Sequence, residues 1–129
     1  MRKIGKIYTD YILEISPHWR SSNTFNRFSE LFLNQLFDEL SRAKKENNAY
    51  MIISPLQSVS GCNFMQIRND GSFYRMEYSL RQNNKNVLYG KNVTELDEAR
   101  KIFFDFLNDG IVPDSDEWAY FDTFECGEK

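Results

Sequence analysis

The chain has 129 residues, of which 41% are hydrophobic and 16% aromatic, and a formal net charge of −3. This length fits one domain, because a second core would be too small to stand alone. Two cysteines are too few for a disulfide-stapled secreted scaffold, and no segment approaches the roughly 18 apolar residues of a membrane span. The composition therefore predicts a single cytoplasmic domain over residues 1–129, with no membrane partner.

The charge is distributed unevenly along the chain. Residues 1–92 carry 13 Lys and Arg against 8 Asp and Glu, whereas residues 93–129 carry 3 against 11. Between Ile102 and Glu128 there is no Lys or Arg. Such asymmetry is an argument about partners. It predicts an acidic C-terminal segment, residues 111–129, suited to a basic protein surface, and together with the low pI it opposes nucleic-acid binding.

Residues 3–16 place their apolar side chains at helical spacing. The segment is also rich in β-branched residues, and every second residue from Ile7 to Ile15 would form one face of a strand. We favour the helix and keep the strand as the alternative. Pro17 ends either element, because proline can neither continue a helix nor donate to a sheet.

Residues 24–46 show the clearest helical pattern, with an apolar stripe that begins at Phe25 and ends at Ala43. Residues 22–24 offer an N-cap. Basic residues at 42, 44 and 45 suit the negative end of the helix dipole. The breadth of the stripe predicts a long helix that lies across a sheet.

Four strands are predicted next, over residues 50–53, 62–68, 73–81 and 86–91. Asn69-Asp70-Gly71-Ser72 predicts a hairpin, since Asp-Gly tolerates the positive φ angles of tight turns. Residues 73–81 alternate strictly, with Tyr74, Met76, Tyr78 and Leu80 on one face and Phe73, Arg75, Glu77, Ser79 and Arg81 on the other. This alternation is typical of an antiparallel sheet with one wet face, and the sequence does not decide which face that is. The preferred interpretation places Tyr74, Met76 and Tyr78 against the long helix as core.

A C-terminal helix follows, because Thr94 and Asp97 approximate a capping box and Gly110 supplies a left-handed C-cap. Residues 114–124 are expected to form a turn or an edge strand. The predicted fold is α+β, with an antiparallel four-stranded β-meander packed against a long helix and a C-terminal helix.

Catalytic chemistry has little support in the sequence. His18 is the one histidine, which excludes histidine-based metal sites, and none of the common glycine-rich or hydrolase motifs occurs. Cys62 is better explained as a small strand residue than as a nucleophile. We therefore expect no catalytic residue, no metal and no cofactor, and hence a protein that is not an enzyme.

The remaining candidate site combines carboxylates with aromatic rings at the C-terminal end. Rings provide buried contact area and charges provide steering and specificity in protein interfaces. The alternative is a charged surface on which Trp118 is tucked into the core. The predicted partner-binding residues are Asp105, Asp109, Asp114, Asp116, Glu117, Trp118, Tyr120 and Asp122.

Two segments carry a family resemblance. Residues 74–110, YRMEYSLRQNNKNVLYGKNVTELDEARKIFFDFLNDG, resemble small α+β immunity proteins of bacterial polymorphic-toxin and contact-dependent inhibition systems. Residues 6–19, KIYTDYILEISPHW, are similar to the N-terminal helix and Pro-x-Trp exit of another group of bacterial immunity proteins, although the helix at 24–46 departs from that group. The resemblance implies a cytoplasmic protein that binds a cognate toxin, often a nuclease, and blocks it without chemistry of its own.

The preferred hypothesis is thus an immunity protein that occludes a basic surface of its toxin. One alternative is a small-molecule or nucleotide-binding domain, which a buried polar cluster around Arg75, Glu77 and His18 would favour. Another is a homo-oligomeric phage or bacterial accessory protein that associates through an exposed sheet edge.

Overall fold

A computed structural model describes residues 5–16, 23–44, 49–114, 116 and 118–125, with residues 120–125 described by their backbone alone. The helices of this part of the chain are α1 (Glu30–Arg42) and α2 (Leu96–Asp109). Its strands are β1 (Ile7–Tyr8), β2 (Tyr11–Ile15), β3 (Thr24–Phe25), β4 (Phe28–Ser29), β5 (Tyr50–Pro55), β6 (Cys62–Asn69), β7 (Tyr74–Gln82), β8 (Lys85–Val93) and β9 (Ala119–Glu125).

Seven strands form one antiparallel sheet in the order β3-β2-β5-β6-β7-β8-β9, and β1 pairs separately with β4. Strands β5 to β8 are the predicted meander, in which β6, β7 and β8 each pair with the strand before it. The α+β class is confirmed, but the limit of four strands is wrong. Strands β2 and β3 extend the sheet beyond β5, and the edge strand β9 extends it beyond β8.

The helix favoured for residues 3–16 is wrong, because this segment contains β1 and β2. In β2, Tyr11, Leu13 and Ile15 are buried while Glu14 is exposed, which is the period of a strand. Leu13 lies opposite Ile53 of β5, so the sheet completes this segment's hydrogen bonds. Tertiary pairing decides between two periodicities that fit the same apolar residues.

The long helix begins later and ends earlier than predicted. Its N-cap is Ser29, whose Oγ accepts a hydrogen bond from the backbone N–H of Phe32 at 3.0 Å. Thr24 belongs to the edge strand β3, so the N-cap predicted at residues 22–24 is wrong for the described residues Asn23 and Thr24; Ser22 lies outside them.

Both helices pack on one face of the sheet and close a single apolar core. The fully buried side chains of α1 are Leu33, Leu36, Phe37 and Leu40, and those of α2 are Ala99, Phe103 and Phe106. The rings of Phe37 and Phe103 meet edge to face at 5.3 Å. Met76 and Tyr78 of β7 form the sheet side of this core, as predicted.

Asparagine residues shape two of the hairpin connections. Asn69, at the end of β6, donates from its side-chain amide to the carbonyl oxygens of Leu40 (2.7 Å) and Ala43 (3.0 Å), and so satisfies the open end of α1. Asn83 and Asn84 join β7 to β8 with φ angles of 51° and 64°.

Candidate functional site

The predicted partner-binding residues lie around the C-terminal end of α2. Asp105 and Asp109 belong to its last turns, Asp114 and Asp116 to the loop that follows, and Trp118 precedes β9. Register places Tyr120 opposite Tyr89 and Asp122 opposite Leu88 in the β8–β9 pair. Glu117 lies outside the described residues.

The end of α2 is acidic where a helix favours cations. Its last turn contains no basic residue, and its C-cap Gly110 has a left-handed φ of 67°, as predicted. Asp105 pairs with Lys101 at 2.7 Å, whereas exposed Asp109 has no ion pair with any described residue. Since the dipole places partial negative charge at this end, Asp109 adds charge of the same sign.

The start of α2 differs from the prediction. Glu95, not Thr94, is the N-cap, and its side chain makes no capping hydrogen bond. The predicted capping box is therefore wrong. Asp97 and Glu98 still place acidic side chains in the first turn, where the dipole favours them.

The loop after α2 is fastened to the sheet. Tyr78 donates its hydroxyl hydrogen bond to the carbonyl oxygen of Pro113 at 2.9 Å. The carboxylate of Asp114 accepts from the backbone N–H of Asp116 at 3.0 Å, which orders the loop locally. Both carboxylates are exposed, so the anchored backbone presents them to solvent.

Trp118 does not provide an exposed ring. It is only 6% exposed and meets Tyr78 edge to face, with ring centroids 4.8 Å apart. Of the two interpretations of Trp118, the one that places it in the core agrees with this burial. Its contribution to the site is to hold the loop between α2 and β9 against the sheet.

A crevice of about 540 Å³ opens beside the end of α2. Tyr8, Asp10 and Tyr11 line one wall, and Leu56 and Val59 from the β5–β6 loop line the other. Tyr8 donates its hydroxyl to the Oδ1 of Asn108 at 2.6 Å and so joins the crevice to the helix. Burial raises the pKa of Tyr8 to about 12, and the nearby carboxylate of Glu30 adds to this effect.

Two aliphatic side chains are strongly exposed in these segments: Leu56, which lines the crevice, at 62%, and Ile111, which follows the C-cap Gly110, at 52%. The β5–β6 loop touches the end of α2, because the hydroxyl of Ser60 donates to the carbonyl oxygen of Gly110 at 3.2 Å. We define the α2-end surface as Asp10, Leu56, Asp109, Ile111 and Asp114.

Sequence reasoning missed the apolar half of this surface. The signal was present, since Leu56 directly follows Pro55 and Ile111 directly follows Gly110. An apolar residue that directly follows the end of a helix or strand has no element of its own whose buried face it could join. What the sequence cannot show is that residues 8–11, 56–60 and 108–111 converge.

A second polar cluster lies on the sheet face opposite the helices. The Nε of Arg75 donates to the Oε2 of Glu77 at 3.2 Å, and the side-chain amide of Gln66 also donates to Glu77. Glu77 is only 7% exposed and Ser79 is fully buried, so this face of β7 is not open to solvent at these two residues. His18, the third residue expected in this cluster, lies outside the described residues.

The described residues offer little for catalysis. Cys62 is fully buried, and desolvation raises the pKa of its thiol to about 12, which disfavours the reactive thiolate. In the described part of the chain, no three His, Cys, Asp or Glu side chains are grouped to hold a metal ion. Neither α1 nor α2 is long and apolar enough to cross a membrane.

Comparison of the chain with protein-family models, curated proteins and solved structures finds no significant match.

Proposed function

We propose that this chain is a non-catalytic binding protein of the immunity type, which neutralises a bacterial toxin by covering a basic surface with its acidic C-terminal region. One observation carries the proposal: the segments that bear the exposed carboxylates and the exposed Leu56 and Ile111 converge beside the crevice. The resemblance of residues 74–110 to immunity proteins points to the same class.

The position of the carboxylates supports this proposal. Asp109 opposes the dipole of α2, and Asp114 and Asp116 stand close together in the following loop. None of the three has an ion pair with a described residue. Proteins keep locally unfavourable residues mainly where function requires them. A basic partner would relieve the repulsion among these charges.

The apolar part of the surface supports a protein partner rather than a small ion. Specific interfaces combine an apolar centre with a polar rim, and a few anchors in desolvated pockets contribute most of the binding energy. Leu56, Ile111 and the crevice provide such a centre, while Asp10, Asp109 and Asp114 provide the rim. Association would be steered by the carboxylates and retained by the crevice.

The test requires a candidate toxin, which is sought as a toxin-like reading frame next to this gene. Its product is expressed with the wild-type chain or with the variant Asp109→Asn/Asp114→Asn/Asp116→Asn. Wild type should relieve growth arrest, and the variant should associate roughly 10-fold more slowly at low salt. The control Glu14→Gln/Glu95→Gln/Asp97→Asn removes three exposed carboxylates elsewhere. Equal association rates for the two variants would contradict the proposal, as would growth arrest that wild type cannot relieve.

A further inference from the structure

The polar cluster of the second sheet face is built from residues in register on three neighbouring strands. Gln66 of β6 lies opposite Glu77 of β7, and Arg68 lies opposite Arg75. Like charges directly opposite each other destabilise a sheet unless they are paired. Both guanidinium groups are paired, Arg68 with Asp70 at 2.8 Å and Arg75 with Glu77. The cluster is therefore close to neutral.

Gly90 gives the guanidinium of Arg75 its position. Gly90 lies opposite Glu77 in the β7–β8 pair, and a Cβ added there would clash with the Nη2 and Cζ of Arg75. The absence of a side chain lets the guanidinium lie across β8, where its Nη1 also donates to Asn92 at 3.1 Å. Arg75 is thus held in place from two strands, with Glu77 beside it.

A pocket of about 210 Å³ lies next to this pair. Tyr50 and Ile52 of β5 form its apolar wall, and Gln66, Arg75 and Glu77 form its polar wall. Pockets for drug-sized ligands measure about 300–1,000 Å³. The smaller volume suits a single ring.

We propose that this pocket binds a planar heterocycle that presents a hydrogen-bond donor next to an acceptor, as a nucleobase does. Both residues line the pocket, where the carboxylate of Glu77 is a hydrogen-bond acceptor with several lone pairs and the guanidinium of Arg75 a donor with several N–H groups, so the two together complement such an edge. Tyr50 and Ile52 contact the face of the ring. Because the guanidinium groups are already neutralised, the pocket selects a neutral ring over a simple anion. This site is independent of the α2-end surface.

The test is a titration of the labelled full chain, followed by amide chemical shifts. Uracil carries N–H donors beside carbonyl acceptors, and 1,3-dimethyluracil has the same ring without the donors. Uracil should saturate amides of β5, β6 and β7 with a dissociation constant on the order of 1 mM, which is reasonable for so small a ligand. The dimethylated ring should bind roughly 10-fold more weakly, because it leaves Glu77 without a partner from the ligand.

Two variants locate the site. Glu77→Gln keeps the shape of the side chain but removes its charge, and should weaken uracil binding roughly 10-fold. Tyr50→Leu removes the ring of the apolar wall and gives a second measurement should Glu77→Gln not fold. The matched control is Arg81→Ala, an exposed residue of the same strand that does not line the pocket.

Titrations with uridine and with an oligouridine distinguish binding of a nucleoside from binding of a nucleic acid. Because the net charge of the chain is −3, the oligouridine should bind no more tightly per base than uridine does.

Three results would overturn the proposal. The first is no saturable shift with uracil or uridine up to about 20 mM. The second is equal binding of uracil and 1,3-dimethyluracil. The third is a shift pattern centred outside β5, β6 and β7 that persists in both pocket variants.

Discussion

Ser79 is fully buried on β7, and its hydroxyl has no hydrogen-bond partner among the described residues. A buried hydroxyl without a partner loses its hydrogen bonds to water and gains nothing in return. We expect Ser79→Ala to raise the free energy of unfolding by about 1 kcal/mol. Urea denaturation measures this, with Ser54→Ala, a half-buried serine of β5, as the control. A loss of stability in Ser79→Ala alone would show that the hydroxyl has a partner.

Single residues also explain where sequence reasoning succeeds. Gly110 and the Asp70-Gly71 turn were predicted correctly, because a positive φ is a demand of the local backbone that few residues satisfy. The inward side chains Met76 and Tyr78 were predicted by alternation alone. Burial of Glu77 was not, since it depends on contacts with Gln66 of the neighbouring strand β6 and with Arg75 of the same strand.

Helix α2 carries acidic residues at both ends, and this permits a matched pair of substitutions. Asp97 lies in the first turn and Asp109 in the last. Asp109→Asn should raise the free energy of unfolding by about 0.3–1 kcal/mol, because it removes a charge that opposes the dipole. Asp97→Asn should lower it by a similar amount, with a small further loss from the contact between Asp97 and Arg100 at 3.8 Å.

Thermal or urea unfolding of both variants tests the sign of each effect. If the proposed function is correct, the stabilised Asp109→Asn protein is also the poorer binder, so stability and association change in opposite directions. A destabilised Asp109→Asn protein would mean that the carboxylate makes a structural contact, and would remove the argument that it is retained for a partner.

Elements were predicted well where their signals are local and poorly where they are not. Strands β5 to β8 follow from alternation and turn residues. Ile7, Tyr11 and Ile15 are spaced by four residues, which fits one helix face and equally one strand face. Phe25 and Phe28 continue the stripe of α1 by position, yet they belong to β3 and β4. Only the partner strands distinguish these cases.

The whole molecule should lose stability at alkaline pH, because burial raises the pKa of several tyrosines above the ordinary value of 10.0. The pKa of Tyr8 rises to about 12, and those of Tyr11, Tyr74 and Tyr78 are raised as well. In the unfolded chain these phenols ionise near pH 10. The folded protein keeps them neutral to higher pH, so this stabilisation is complete below pH 10 and is lost as the pH rises towards about 12.

Urea denaturation at a series of pH values from neutral to strongly alkaline measures this loss. Tyr8→Phe should make the decline shallower, because one phenol no longer titrates, and should lower stability at neutral pH by about 1 kcal/mol through the lost bond to Asn108. Stability that does not change between neutral pH and pH 11 would contradict the assignment of buried, neutral phenols.

For the molecule as a whole, the carboxylates of the candidate site could be predicted because the residue types alone determine which side chains are charged. The crevice beside them could not, since it exists only after three distant parts of the chain have come together. Trp118 illustrates the difference. The sequence shows that an aromatic ring lies among the carboxylates, but only the three-dimensional structure shows that this ring contacts Tyr78.

The order of strands in the large sheet has a consequence for how the chain can assemble during synthesis. From β6 onward, each strand pairs with the one made just before it, and α2 is the only helix inserted in that series among the described residues. The sheet can therefore grow in the direction of translation, with each emerging strand adding to an edge that already exists. Contacts of short sequence separation form quickly. Strand β9 is added last, so a ribosome-bound chain stalled before residue 119 would present β8 as its open edge.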